Sequence, residues 1–358
     1  MRHLELFAGI GGFRMAMDYI ANDMDIPIDT IGFSEIDNKA SVTYKANYDT
    51  TDEKELGDIV ELVNDAERME ELGHIDILSG GFPCQTFSMM GSKLGFAEDR
   101  GQMFFRIMDI INEHHPRYVL LENVKNLVTH DNKRTFKVIK SKLEEAGYIV
   151  HYDIFNTANY GLPQKRNRTI IFARSREYGD FEFSEELVRD YFQGVNSANS
   201  SLSFYKHVID VLEKEVDQKY YLSERIKPTI LSNGSASFIS NSDIDQKIAR
   251  PLTASMHKMH RACQDNYYSY EFIQSEGKVR PSETLSKEEL AKKSIRRITP
   301  KEAFLLQGFP NDFAANAKLR GVADGALYKQ AGNAVSVNTI YAVMFYLITN
   351  NIIIDELY

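Results

Sequence analysis

A thiol at Cys84, a carboxylate at Glu122 and two guanidinium groups at Arg166 and Arg168 are the side chains of this 358-residue chain whose types and settings could do chemistry. Cys84 lies in Gly80-Gly81-Phe82-Pro83-Cys84-Gln85-Thr86-Phe87-Ser88, shortly after the apolar run Ile75-Asp76-Ile77-Leu78. Taken alone it fits a packed core cysteine, a metal ligand, half of a disulfide or a nucleophile. The only other cysteine, Cys263, lies in the far half of the chain, so no disulfide framework is expected. A zinc deaminase needs H-x-E and P-C-x-x-C; the chain has P-C-Q-T-F with no second cysteine near, so that reading fails. Glu122, in Glu122-Asn123-Val124, follows the apolar run Tyr118 to Leu121; it suits a catalytic acid beside the thiol, or an acid at the start of a helix. Arg166 and Arg168, in Gln164-Lys165-Arg166-Asn167-Arg168, alternate at strand spacing and are expected on one side of a strand. The alternative is a basic edge strand that resists aggregation.

These residues need a scaffold, and the first half of the chain supplies a regular one. Leu4 to Phe7, Thr30 to Phe33, Ile75 to Leu78, Tyr118 to Leu121, Ile149 to Phe155 and Thr169 to Phe172 read as strands. Phe13, Ala16, Met17 and Ile20 fall at helical spacing, as do Met103, Phe104, Ile107, Ile110 and Ile111, and then Phe136, Ile139 and Leu143, with Gly147 as a C-cap. Strands alternating with helices predict an α/β fold: a Rossmann-like, doubly wound, mainly parallel sheet that binds ligands at its strand ends. Cys84 and Glu122 both follow strands, on that side. Between the first strand and helix lies Phe7-Ala8-Gly9-Ile10-Gly11-Gly12-Phe13-Arg14, whose glycines let main-chain N–H groups approach a ligand. Arg14 stands where a dinucleotide fingerprint has its third glycine, so a nicotinamide dinucleotide is not expected. Glu35, ending the next strand, suits a ribose-binding acid. A tight structural turn is the competing reading.

After Arg174 the rhythm is lost. Residues 1–174 are read as a catalytic and cofactor-binding domain, 175–313 as a smaller, irregular recognition domain, and 314–358 as a segment returning to the first domain, with helical periodicity over Ser336 to Leu347. Net charge is −9, yet it is unevenly spread. Residues 1–80 carry six Lys/Arg against eighteen Asp/Glu, residues 125–174 ten against four, and residues 245–301 twelve against seven. The basic stretches suit either a solvated face or a phosphate-binding surface. No run approaches the ~20 apolar residues of a membrane span, and no secretion pattern opens the chain, so no membrane association and a cytoplasmic location (bacterial cytoplasm or nucleoid) are expected.

Taken in order, the motifs resemble the DNA cytosine-5 methyltransferase family. Phe7 to Arg14 resembles its F-x-G-x-G-G methyl-donor loop, Gly81 to Gln85 its P-C-Q loop, Glu122-Asn123-Val124 its E-N-V motif, and Gln164 to Arg168 its Q-x-R-x-R. Arg296-Arg297-Ile298-Thr299 to Gly308-Phe309-Pro310 resembles the segment closing the recognition domain, and Gln330 to Val335 the final G-N-[AS]-V motif. The resemblance covers residues 1–174 and 296–345; between them only Arg250-Pro251-Leu252-Thr253 is similar to a family signature.

The resemblance implies that Cys84 adds to C6 of a flipped-out cytosine, with Glu122, Arg166 and Arg168 as catalytic partners. S-adenosyl-L-methionine is the implied donor, leaving as S-adenosyl-L-homocysteine, with no metal needed and with Phe7, Ala8, Gly9, Gly11, Gly12, Glu35, Asp58, Ile59, Asn333 and Ala334 around it. Gln85, Ser88, Asn123, Gln164, Lys165 and Thr253 are implied at double-stranded DNA. The implied setting is a restriction-modification system in bacteria or phage, the enzyme a monomer, its cognate restriction endonuclease acting on the same site without direct contact. Two alternatives stay open. One is a tRNA cytosine-5 methyltransferase, whose branch carries a Cys-Phe-Thr motif not found here. The other is a catalytically dead DNA-binding homologue, against which the intact Cys84, Glu122 and Arg166 argue.

Overall fold

The computed structural model describes residues 1–83, 103–194, 200–235 and 238–354. The chain forms two compact units: residues 1–156, 167–201 and 339–358 make the first, and residues 157–166 and 202–338 the second.

The first unit is built on a seven-stranded sheet: β1 (Arg2–Leu6), β2 (Asp29–Ser34), β3 (Lys54–Glu55), β4 (Ile77–Gly81), β5 (Tyr118–Val124), β6 (Tyr148–Asn156) and β7 (Asn167–Ser175). Their order is β3-β2-β1-β4-β5-β7-β6, parallel except for β7, which runs antiparallel to both β5 and β6. The expected doubly wound, mainly parallel sheet is therefore what the chain forms. Strand order reverses between β1 and β4, the point at which such sheets open a crevice at their carboxyl ends. Register aligns those ends: Leu6 pairs with Ser34 on one side and Gly80 on the other, and Gly81 pairs with Glu122.

Helices α1 (Gly12–Met24), α2 (Asn38–Asn47), α3 (Ile59–Val63), α4 (Ala66–Glu70), α5 (Met103–His114) and α6 (Arg134–Glu145) lie in chain order between the strands. Side chains alternate across the sheet, so each face has its own cover. Leu4, Leu6, Leu78, Val119 and Leu121 join Phe104, Ile107 and Ile111 of α5 and Phe136, Ile139 and Leu143 of α6 in one core cluster. From β1's other face His3 reaches Thr30 and Ser79 at 2.9 and 2.7 Å, and Glu5 is fully buried. Burial pushes the His3 imidazole down to about 3, which keeps it neutral.

The stretch after Arg174 differs from expectation. Residues 175–201 belong to the first unit: Phe181 packs edge-on to Phe172, Phe183 lies against Phe155, and Tyr346 donates to the Glu182 carbonyl. The buried apolar groups of this stretch, Phe181, Phe183, Val188 and Phe192, are few, and only the last two share a short helix, Glu185–Phe192, so pattern reading grouped them with the irregular residues beyond 201. The final helix, Val337–Thr349, returns to the first unit from Thr339 onward, and its Tyr341 hydroxyl donates to Asp23 at 2.9 Å.

The second unit is irregular, as its sequence suggests. It has short helices, an antiparallel pair, Tyr267–Ser269 with Ile295–Arg297, and a small core including Leu222, Ile230, Ile244, Leu290 and Ile295. Arg296 and Glu302 form a fully buried ion pair at 2.7 Å. Thr299 and Glu302 cap the helix Pro300–Leu305 reciprocally.

Candidate active site and methyl-donor turn

Four aligned strand ends of the first unit, those of β1, β2, β4 and β5, carry the candidate residues. After β1 the chain turns through Phe7, Gly9 and Gly11, all with positive φ (52°, 57° and 80°). Gly11 starts α1 without a side-chain cap, and no acid lies in that helix's first turn. Two of the first amides of this 13-residue helix, those of Phe13 and Arg14, face the buried Glu5 carboxyl of β1. A Cβ added at Gly9 would meet nothing within 4 Å, so the turn is open on that side.

Glu35, just past β2, braces this turn. Its two carboxylate oxygens accept from Gly9 N–H and Asp37 N–H, each at 2.7 Å. Burial raises its carboxyl above the ordinary range, against the pull of those two N–H groups. Asp58 caps α3 by accepting from Val60 N–H at 2.8 Å, and Ser34 donates to the Gly57 carbonyl at 2.7 Å. Ile59 is buried in the core, so it presents main chain rather than side chain. Phe7, Ala8, Gly9, Gly11, Gly12, Glu35 and the Gly57–Ile59 turn thus gather at the ends of β1 and β2.

At the neighbouring ends of β4 and β5, Glu122 is 8% exposed. Its Oε1 takes an ion pair from Arg168 Nε at 2.7 Å, and Oε2 lies so near Gly81 that an added Cβ would sit 3.4 Å away. Asn123, expected at DNA, is buried instead, and its amide serves the main chain. Nδ2 donates to the Phe82 carbonyl at 2.8 Å while Oδ1 accepts from Val124 N–H at 2.9 Å. That tie fixes the main chain two residues before Cys84. Cys84, Gln85 and Ser88 lie outside the described residues.

Arg166 departs from its expected place. It is not in β7, which begins at Asn167, and it does not share a strand face with Arg168. Thr157 N–H donates to the Arg166 carbonyl and Arg166 N–H to the Gln164 carbonyl, so the main chain turns here instead of extending. Its side chain, 1% exposed, belongs to the second unit. It donates to the carbonyls of Leu252, Gly332 and Ala334 at 3.0, 3.1 and 2.9 Å. Gln164, also expected at DNA, is fully buried: Nε2 donates to the Leu306 carbonyl at 2.8 Å and Oε1 accepts from Leu252 N–H at 3.0 Å. Lys165 is exposed, as is Asn333, while Ala334 is buried.

Thr253 follows the turn that Gln164 and Arg166 hold. Its Oγ1 is buried without a hydrogen-bond partner among the described residues. Sequence reasoning missed two residues of this framework. Gln307 reaches the Ala331 carbonyl at 2.7 Å, and Tyr48 donates to the Gly11 carbonyl at 2.6 Å. Gln307 lies within the Arg296–Pro310 segment but was not singled out there, and Tyr48 belongs to no motif; the signal at each was a polar side chain within an apolar neighbourhood.

Comparison with known proteins agrees with this geometry. The family model described as C-5 cytosine-specific DNA methylase matches residues 1–348. The chain is 36% identical over 351 residues to the type II methyltransferase M1.ScrFI of Lactococcus lactis subsp. cremoris, covering 95% of this chain and 76% of that one. It is 33% identical to the type II methyltransferase M.DsaV of Dactylococcopsis salina, covering 96% and 84%. In fold it is similar to the crystal structure of the S. pombe Dnmt2 methyltransferase, with a TM-score of 0.73 at 20% identity over 98% of this chain and 99% of that one. The chain belongs to the C-5 cytosine-specific DNA methylase family and is a DNA cytosine-5 methyltransferase.

Proposed function

We propose that the chain modifies one cytosine of a specific site in double-stranded DNA through a covalent Cys84–C6 adduct, with S-adenosyl-L-methionine as methyl donor. The observation that carries this is the alignment of strand ends: Glu122 sits beside Gly81, three residues before Cys84, next to the open glycine turn after β1. The turn fits such a donor. The open main chain of the glycine turn at Gly9 suits its carboxylate, Glu35 suits its ribose hydroxyls, and the Asp58–Ile59 turn suits its adenine. Bound there, the donor supplies an electrophilic methyl group.

The chain's own residues do the rest. C5 of cytosine is a poor nucleophile. The Cys84 thiolate adds to C6 and makes C5 an enamine carbon, while the Glu122 carboxyl holds the N3 edge and accommodates the charge shift in the ring. Arg168 keeps that carboxyl in place. Once C5 carries the methyl group, loss of its proton restores the double bond and expels the thiolate. The base reaches the site by leaving the stack, at a cost of about a few kcal/mol. Arg166 acts as a positioning residue, by holding Leu252, Gly332 and Ala334.

Further parts of the reading rest on the relatives' names and the sequence. The enzyme works as a monomer in the bacterial cytoplasm, not at a membrane. It is the modification half of a restriction-modification pair, and its endonuclease reads the same site without touching it. Of the stretch read as the recognition domain, residues 202–313 hold the specificity, with the basic residues between Lys247 and Arg261 on phosphates. Bisulfite sequencing of DNA from expressing cells tests the whole. One sequence context is expected to be methylated, with all methylation lost in Cys84→Ser and most kept in Cys263→Ser. Full methylation by Cys84→Ser overturns the adduct.

A further inference from the structure

Tyr48 ends α2, well away in sequence from the glycine turn, yet its side chain lies directly beneath it. The hydroxyl donates to the Gly11 carbonyl at 2.6 Å and lies 3.3 Å from the Ile10 carbonyl. The Gly11 carbonyl is also the first acceptor of α1, taking Met15 N–H at 2.9 Å. The fit is close: a Cβ at Gly11 would stand 2.5 Å from Tyr48 Cε2. Gly11 thus needs to be glycine for two independent reasons, its φ of 80° and the ring below it.

The ring is itself held by a column of aromatics. Phe33 of β2 stacks on Tyr44 at 4.1 Å between centroids, and Tyr44 packs on Tyr48 at 4.6 Å. The Arg14 guanidinium, 5.7 Å from the ring centroid, adds a cation–π contact from α1. β2 therefore supports the glycine turn in two places. One is Glu35 on Gly9 N–H; the other is the Phe33–Tyr44–Tyr48 column on the Gly11 carbonyl.

We infer that the Tyr48 hydroxyl is a positioning residue for the methyl donor: it sets the path of the glycine turn by fixing the Gly11–Gly12 peptide. The inference rests on the reading that the glycine turn binds S-adenosyl-L-methionine. Tyr48 is buried beneath the turn and acts through its main chain. Burial holds its phenol well above the usual range, so it stays a hydrogen-bond donor at any working pH.

The test uses the full-length enzyme and S-adenosyl-L-homocysteine as probe, with binding measured by titration calorimetry. Tyr48→Phe keeps the ring and the column but loses the hydroxyl. Expected is a weakening of probe binding by about three- to ten-fold, the loss of one neutral hydrogen bond. The KM for the donor rises with it, and the KM for DNA is unchanged. Tyr44→Phe is the control: it lies in the same column but donates only toward carboxylates, to Glu53 at 3.3 Å and Glu5 at 3.5 Å. It is expected to lower thermal stability while leaving probe affinity intact. Unchanged affinity in Tyr48→Phe, or equal weakening in both variants, overturns the inference. Glu35→Ala separates it from the reading beneath: if that variant also binds the probe normally, the turn is not the donor site; if only Tyr48→Phe is silent, the site stands and Tyr48 does not position it.

Discussion

Glu122 and Arg168 meet at 2.7 Å across adjacent strands although they are not register partners; Glu122 pairs with Ile170, and Arg168 with Val124. The guanidinium therefore reaches diagonally along β7 to hold a carboxylate that points toward Gly81. Its value is orientation. Arg168→Gln leaves the strand intact and releases the carboxylate. A single-turnover rate lower by about ten- to a hundred-fold is expected, with little change in DNA affinity, because misplacing a reacting group by ~1 Å costs on that order. Arg168→Lys falls between, since a lysine provides the charge without the planar fork. A variant with an unchanged chemical step and weaker DNA binding would place Arg168 on phosphate instead.

Glu35 gives the second expectation. Its carboxylate stands on Gly9 N–H and Asp37 N–H, both part of the donor turn's support. Glu35→Ala loses both bonds and the proposed ribose contact. Donor affinity is expected to fall by about tenfold or more while DNA affinity changes less, on the scale of charge-assisted hydrogen bonds. Calorimetry with each ligand separately decides it; equal losses would mean a general loss of fold.

Gly332 offers a test within the second unit. A Cβ there would lie 2.2 Å from the Thr253 carbonyl carbon and 2.3 Å from Ala254 N, both main-chain atoms that have little room to yield. Gly332→Ala is expected to destabilise by about 1–3 kcal/mol through overpacking and to displace the Pro251–Ala254 turn. DNA affinity, measured by fluorescence anisotropy, is expected to fall while probe binding at the glycine turn is kept. Normal DNA binding would show that the turn is not needed for it.

A buried acid cluster under β1 predicts a pH dependence. Burial pushes the Glu5 carboxyl up to about 8 and Glu53 up to about 7, with Arg14 acting against both shifts. The native state then holds protons that the unfolded chain releases above about 4.5. Stability contributed by these groups is complete below that value and falls as pH rises toward 8. Glu5→Gln removes the titration at Glu5. Its stability relative to the parent is expected to improve steadily from pH 5 to pH 8 in urea unfolding; a difference independent of pH would show that Glu5 is ionised throughout.

The legible parts of this chain were those with period. β1, β2, β4, β5, β6 and β7 each contain an apolar run, and the helices that cover them repeat every three to four residues. β3 was invisible: it is two exposed charged residues, Lys54 and Glu55, paired by main chain alone. The catalytic motifs were legible because they follow strands. The supports were not. Gln164, Arg166, Gln307 and Tyr48 act by side chain on distant carbonyls, and a hydrogen bond from residue 166 to residue 334 leaves no mark on local pattern. The alternation of Arg166 and Arg168 suggested a shared strand because spacing cannot reveal that the main chain turns between them.

The ten residues Thr157–Arg166 leave the first unit between β6 and β7 and belong to the second. This has a bearing on ancestry. A recombination event that exchanged only the contiguous stretch 202–338 would leave Gln164 and Arg166 behind with the old lineage while replacing every carbonyl they hold. New site preferences could spread among such genes as portable cassettes only if each cassette offers the same acceptors at the positions of Leu252, Leu306, Gly332 and Ala334. Those four positions, and not the base-reading loops, are then the adaptor that makes descendants interchangeable.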